Sequence, residues 1–169
     1  MAKAFFVGGL AGSGKSYYSR KLARQLNLKI IDFDDNFDEF MKAHEVELKQ
    51  LGSENFLATY AKERYTDLIN RAVAQLVQNQ SVVITAPFSK HSQDQKLWDE
   101  LISPIKKFDS TPTLYWVVID DELRKQRLLT RGEARDQEKI FKIDQYIQST
   151  HSQLPVFEHT LVKGDLAEK

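Results

Sequence analysis

The sequence predicts a three-layer α/β domain with a parallel β-sheet at its centre. Two observations lead to this prediction: short apolar runs recur along the chain, and longer amphipathic stretches separate them. Short runs rich in β-branched and aromatic residues are typical of parallel strands that are buried on both faces. Strands that alternate with helices are joined by right-handed crossovers, which place helices on both sides of the sheet.

Five apolar runs are the candidate strands. They cover residues 4–7, 29–33, 81–86, 113–119 and 160–162. The first run leads into a glycine-rich segment, and the second leads into a group of aspartates. Ligands of open parallel sheets bind at the carboxyl ends of the strands, so functional residues are expected directly after these runs.

The segments between the strands predict helices. They are residues 16–26, 36–79, 92–107, 121–130 and 137–150. Their apolar residues recur three or four positions apart. In the second segment this spacing produces a stripe of Leu68, Ala72, Leu76 and Val77. Gly52 predicts a break within 36–79, and Ser92 with Gln95 predicts the N-terminal cap of the third helix.

Length and composition predict a single domain that covers residues 1–169. The chain is 41% apolar and 28% charged, and its length suffices for one hydrophobic core. It contains no cysteine, which excludes disulfides, thiolate zinc sites and a cysteine nucleophile. No apolar run approaches the ~18 residues that cross a membrane. A formal net charge of zero gives no general attraction to nucleic acid. We therefore expect a cytoplasmic protein with a small-molecule partner.

The segment after the first strand matches the pattern G-x-x-x-x-G-K-[ST] at every fixed position. It consists of Gly9, Leu10, Ala11, Gly12, Ser13, Gly14, Lys15 and Ser16. Its glycines let successive backbone N–H groups point at phosphates, and the helix that follows favours an anion at its N-terminus. Lys15 is expected to bridge the β- and γ-phosphates, and the Ser16 hydroxyl to bind Mg²⁺. The segment predicts a nucleoside triphosphate bound with magnesium.

The predicted nucleotide is ATP. Regulatory GTPases usually read guanine through an Asn-Lys-x-Asp motif, and the nearest segment here is Val-Lys-Gly-Asp at 162–165. This segment lacks the asparagine that would bond to guanine. There is also no Asp-x-x-Gly segment after the third strand.

Asp32 and Asp34 lie at the end of the second predicted strand and share one face, because side chains alternate along a strand. One carboxylate is expected to hold Mg²⁺, directly or through water, and the other to orient or deprotonate a substrate hydroxyl. We assign Asp32 to the metal and Asp34 to the substrate, and the reverse assignment stays open. The alternative is a solvated acidic turn, with Asp35 or Asn36 capping the next helix.

Arg127 and Arg131 are four residues apart on a predicted helix, which places them on one face. Gly132 predicts the end of that helix, and Arg135 follows on a short polar loop. Phosphoryl transfer requires fixed cations around the transferred group, and the planar fork of arginine suits phosphate oxygens. The alternative is a solvated helix face whose charges are balanced by neighbouring acids.

These motifs together resemble the P-loop small-molecule kinases, such as the adenylate, shikimate and gluconate kinases. The chain is most similar to the kinase-like AAA-type ATP-binding proteins of that superfamily. The motifs are the glycine loop, the Asp32-x-Asp34 pair, the Arg127-x-x-x-Arg131 helix, the Ala86-Pro87-Phe88 turn, and Arg-Gly-x-x-Arg-Asp-x-x-Lys at 131–139. The Ala86-Pro87-Phe88 turn replaces the glycine-rich turn of the shikimate kinases, which argues against shikimate as the acceptor.

The resemblance implies a P-loop NTPase fold with the strand order 2-3-1-4-5. It also implies a helical substrate-binding insertion at about 36–79 and a short lid at about 131–139. By analogy, Arg127 would lie near adenine and Arg131 on the phosphates, with Arg135 assisting after lid closure. Asp34 would meet the acceptor hydroxyl.

The predicted function is transfer of the γ-phosphoryl group of ATP to a small-molecule acceptor, and a hydroxyl is the expected acceptor group. One alternative is an ATP-dependent switch or partner-binding ATPase without a small acceptor. A second is a kinase that acts on nucleotides or nucleic-acid ends, which would require a basic groove.

Overall fold

The structure is a computed structural model that describes residues 1–133 and 136–164. In these residues a five-stranded sheet contains β1 (Ala4–Gly8), β2 (Lys29–Asp32), β3 (Val82–Thr85), β4 (Thr113–Val118) and β5 (Thr160–Lys163). All strands are parallel and their order is β2-β3-β1-β4-β5. The predicted fold class and strand order are confirmed.

The described part of the chain contains eight α-helices. They are α1 (Lys15–Leu26), α2 (Phe37–Ala43), α3 (Glu45–Leu51), α4 (Ser53–Val77), α5 (Gln95–Ile102), α6 (Asp121–Arg131), α7 (Gln137–Phe141) and α8 (Ile143–Ser149). Three of them, α2 to α4, connect β2 to β3, and the predicted break at Gly52 separates α3 from α4.

Two predicted helices were too long. The third segment forms an α-helix only in α5, and a 3₁₀ turn lies on each side of it. Its cap is Asp94, whose carboxylate accepts hydrogen bonds from the backbone N–H groups of Lys96 and Leu97, so the predicted Ser92 cap is wrong. Pro104 has no N–H to continue the helix beyond this point. The last segment is divided at Lys142, which has non-helical backbone angles.

The central strand β1 places its side chains alternately in two cores. Phe6 packs against Trp98 of α5, with their ring centroids 5.1 Å apart, on the face that α4 and α5 cover. Val7 lies on the opposite face with Leu22 and Ala23 of α1. Because both faces are covered, the carboxyl end of β1 is held firmly, and the loop that follows it begins from a rigid base.

The stripe predicted for the long helix α4 is buried at three of its four positions. Leu68, Ala72 and Leu76 lie in the core. Val77, the last residue of α4, is 66% exposed, so its predicted burial is wrong. Among the described residues, no helix combines the length and the apolar character needed to cross a membrane.

Candidate functional site

The loop between β1 and α1 has the backbone geometry of an anion cradle. Gly12 has φ +81° and Gly14 has φ +94°, a region that residues with side chains rarely adopt. Gly14 is also the N-cap residue of α1, and no side chain of the described residues caps this helix. The first-turn N–H groups of α1 therefore point out of the helix at a site that favours negative charge.

A cavity of about 700 Å³ opens in front of this loop, and we call it the phosphate cavity. The sequence-predicted residues that line it are Gly12, Gly14, Lys15, Ser16, Asp32, Arg127 and Arg131. The structure thus brings together residues from the glycine loop, the end of β2 and helix α6. Gly9, Ala11 and Ser13 belong to the same loop, where Gly9 and Ser13 are buried and Ala11 is half-buried.

Asp32 and Glu133 are the acidic residues among those that line the phosphate cavity, and Asp32 lies at the end of β2. Its Oδ1 accepts a hydrogen bond of 2.9 Å from the backbone N–H of Asp34. Burial raises the pKa of the Asp32 carboxyl, and the negative charges of Asp34 and Asp35 act in the same direction. The Asp34 amide and the Lys15 ammonium oppose this shift. A cation bound next to Asp32 would favour its ionised form and so relieve the cost of its burial.

Arg127 and Arg131 of α6 add two cationic side chains to the lining of the phosphate cavity. The Nη2 of Arg127 donates to the backbone oxygen of Gly164, 3.4 Å away, at the end of β5. A Cβ atom added to Gly14 would lie 3.1 Å from Nη1 of Arg127, so this guanidinium is next to the loop. Arg127 therefore connects the glycine loop, α6 and the turn after β5.

Arg131 is the last residue of α6, which ends at Gly132. Its Nε donates to Oδ2 of Asp136 at 3.1 Å, and its Nη2 donates to the same oxygen. Glu133 also forms an ion pair with Arg131, with Oε1 3.3 Å from Nε. Arg135, predicted to assist Arg131, lies outside the described residues.

Asp34 has a different environment from Asp32 and is not among the described residues that line the phosphate cavity. Its Oδ1 lies 3.4 Å from Nη2 of Arg64, a side chain of α4 that is 9% exposed. Arg64 also donates to the backbone oxygen of Phe33 at 3.2 Å and stacks on the Phe33 ring, 3.9 Å from its centroid. Sequence reasoning missed Arg64, because it belongs to no motif and is thirty positions from Asp34.

The turn after β3 contacts α4 at Tyr65, the residue after Arg64. Phe88 is fully buried with φ +50°, and its N–H donates to the Tyr65 hydroxyl at 3.0 Å. Burial raises the pKa of that hydroxyl well above its ordinary value. The His91 ring packs edge-on against Tyr65, and burial, aided by the charge of Lys90, lowers the pKa of His91. An uncommon backbone conformation held by surrounding contacts is frequent at functional sites.

The oxygen donors of the phosphate cavity fit magnesium. The Ser16 hydroxyl and the Asp32 carboxylate both line the cavity, and both are hard oxygen ligands. The described residues contain no group of three or more His, Cys, Asp or Glu side chains that could hold a metal. Mg²⁺ in phosphate sites is usually held by one or two side chains, with phosphates and water completing its shell. This arrangement matches that pattern.

Comparisons with known proteins agree with this geometry. The model of the AAA domain family matches residues 5–150 of the chain. A comparison with curated proteins found no match.

Several solved structures share the fold. A sugar kinase from Janibacter sp. HTCC2649 has a TM-score of 0.61 at 16% identity, with 99% of this chain and 88% of that chain covered. Shikimate kinase from Aquifex aeolicus has a TM-score of 0.54 at 18% identity, with 97% and 87% covered. A gluconokinase from Sinorhizobium meliloti has a TM-score of 0.55 at 12% identity, with 98% and 84% covered. Because these sequence identities are low, the structural similarity shows a shared fold and nothing further. Since the family model spans β1, the glycine loop and the arginine-bearing helix α6, the chain belongs to the AAA domain family and has the nucleotide-binding fold of the P-loop small-molecule kinases.

Proposed function

We propose that the protein transfers the γ-phosphoryl group of ATP to a hydroxyl group of a small molecule. The observation that carries this proposal is the shared phosphate cavity, which is lined by Lys15, Ser16, Asp32 and Arg131. A glycine loop alone would account for nucleotide binding. The arginines that α6 adds to the same cavity are an additional feature, and stabilising the charge of a transferred phosphoryl group requires such cations.

Nucleotide binding is assigned to the loop and to Arg127. The amides of the loop and the Lys15 ammonium would hold the β- and γ-phosphates. The Arg127 guanidinium lies next to Gly14 and donates to the backbone oxygen of Gly164. A guanidinium there can stack on a purine face, which supports its proposed place beside adenine.

Magnesium binding is assigned to Ser16 and Asp32. The bound ion would neutralise charge on the β- and γ-phosphate oxygens. Asp32 supports this role because its buried carboxylate gains from a neighbouring cation, as the raised pKa indicates.

Asp34 is assigned to the acceptor hydroxyl. The hydrogen bond from its backbone N–H to Asp32 ties the two carboxylates into one turn, and Arg64 holds the Asp34 side chain from the other side. A carboxylate fixed next to the metal site can orient a hydroxyl or accept its proton. Helices α2 to α4 within 36–79 would then form the acceptor-binding insertion, and residues 131–139 the lid. Arg135 stays a predicted contributor to charge neutralisation.

The test is ATP consumption by the pure protein with Mg²⁺. Pools of hydroxylated metabolites, sugars, nucleosides and nucleotides are added separately, and ADP release is followed. We expect one pool to stimulate ADP release and its phosphorylated product to be detected by mass spectrometry. The variant Asp34→Asn should abolish the stimulation and keep MgATP binding. Tight MgATP binding with the same slow rate in every pool would contradict the proposal and favour an ATP-dependent switch.

A further inference from the structure

Asp136 is a buried acidic side chain beside the phosphate cavity. Its side chain is only 2% exposed, although it lies in a short connection between α6 and α7. A buried carboxylate is costly unless cations and hydrogen-bond donors surround it. Two cations of the described residues do so: Arg131 bonds to Oδ2, and the Lys139 ammonium lies 3.4 Å from Oδ1.

The contact between Asp136 and Arg131 sets the direction of the guanidinium group. Arg131 uses Nε and Nη2, the two nitrogens on one edge of its fork, for the same carboxylate oxygen. Because the fork is planar and rigid, holding this edge also fixes the plane and turns Nη1 away from Asp136. Arg131 lines the phosphate cavity together with Lys15, so the same contact decides how its charge is presented there.

Arg131 needs such a support because of its position in the chain. It is the last residue of α6, and Gly132, with φ +55°, turns the backbone out of the helix. A long side chain at a helix end has several freely rotating bonds, and ordering it during the reaction would slow transfer. Groups that stabilise a transition state are most effective when they are oriented in advance.

We propose that Asp136 is a positioning residue that aims the Arg131 guanidinium at the transferred phosphoryl group. This inference rests on the proposed function. Asp136 itself touches neither nucleotide nor acceptor and acts only through Arg131. The rival explanation is that Asp136 stabilises the connection between α6 and α7 without affecting transfer.

The test compares Asp136→Asn with wild type in MgATP turnover and MgATP affinity. We expect kcat to fall at least about tenfold, because misplacing a catalytic group is costly, while the dissociation constant of MgATP changes less than about threefold. Arg131→Ala and the double variant should be equally slow, since both remove the same contribution. The control is Asp144→Asn. This change removes the exposed carboxylate of α8 that pairs with Lys125 of α6, and it should leave turnover unchanged.

Chemical rescue separates positioning from simple stabilisation. Guanidinium ion added to Arg131→Ala should restore part of the turnover, because Asp136 can hold the ion where the side chain was. The same ion should restore nothing in the double variant. If Asp136→Asn does not fold, Asp136→Glu keeps the charge, shifts the carboxylate by one methylene and should still lower kcat.

The outcomes distinguish the two proposals. Wild-type protein that neither binds nor turns over MgATP would overturn the proposed function and this inference with it. Normal kcat in a folded Asp136 variant, additive effects in the double variant, or rescue that does not need Asp136 would overturn this inference alone.

Discussion

Replacing Gly12 by alanine tests whether the glycine loop is held in the conformation that binds phosphate. Gly12 has φ +81°, and a Cβ atom added there would lie 3.0 Å from the backbone oxygen of Arg124 and 3.1 Å from Cγ of Leu128. The backbone strain costs about 1–3 kcal/mol. The contact with α6 adds a similar amount of about 1–3 kcal/mol, because the backbone oxygen of a helix cannot easily move.

We therefore expect Gly12→Ala to lower the free energy of unfolding by about 2–6 kcal/mol, a large part of the ~5–15 kcal/mol that stabilises a typical domain. Where the protein stays folded, the loop must shift away from α6. A shift that costs ~1.4 kcal/mol of phosphate contacts weakens MgATP binding tenfold, so we expect at least that loss.

The control is Gly52→Ala. Gly52 also has positive φ, at +73°, but no contacting atom of the described residues lies within 4 Å of the added Cβ. It should lose stability through backbone strain alone and should bind MgATP like the wild type. Unfolding is followed in urea by circular dichroism, and binding by titration calorimetry. The reasoning would be refuted if Gly12→Ala matched Gly52→Ala in stability and also kept wild-type MgATP affinity.

Three further predictions concern the charged residues of the site. Lys15→Ala should weaken MgATP binding at least about tenfold through loss of a charge-assisted phosphate contact, whereas Lys21→Ala on the exposed face of α1 should not. Titration calorimetry measures the MgATP affinity of the two variants, and equal affinities would show that Lys15 does not contact the phosphates. Asp34→Asn should keep MgATP affinity but lower acceptor-stimulated turnover about 10²-fold or more, whereas Asp144→Asn, at an exposed position of α8, should match wild type. Unchanged turnover in Asp34→Asn would remove Asp34 from the chemistry. Asp32→Asn should raise the melting temperature of the nucleotide-free protein at pH 7, because burial raises the pKa of this carboxyl and its ionisation opposes folding. That gain should shrink as the pH falls through the raised pKa toward 3.8, and a gain independent of pH would contradict this explanation.

Much of the candidate site could be predicted because its residues lie close together in the sequence. The glycine loop is one continuous segment between a strand and a helix, and its function depends on local backbone geometry. Asp32 and Asp34 lie at the carboxyl end of a strand, and a sheet of this type binds ligands at that edge. Arg127 and Arg131 share a helix face through their spacing of four.

The contacts of Arg64 could not be predicted in this way. Arg64 reaches Asp34 only because α4 packs beside the end of β2, which places side chains thirty positions apart within 3.4 Å. A single arginine on a long helix has no local pattern that distinguishes it from a solvated one. The start of α5 was missed for a related reason. Asp94 and Ser92 are both suitable capping residues, and the structure shows that Asp94 is the cap.

The sequence by itself determined the alternation of strands and helices, the phosphate loop, and which acidic and basic residues were candidates. These features depend on periodicity and on short motifs, which a linear chain displays directly. The strand order was implied by resemblance, and the structure confirmed it. Only the tertiary structure decided which candidates share the phosphate cavity, that Arg64 holds Asp34, and that Asp136 is buried against Arg131. Each of these depends on how separate elements pack, because burial and charge pairing arise between surfaces that meet only in the folded protein.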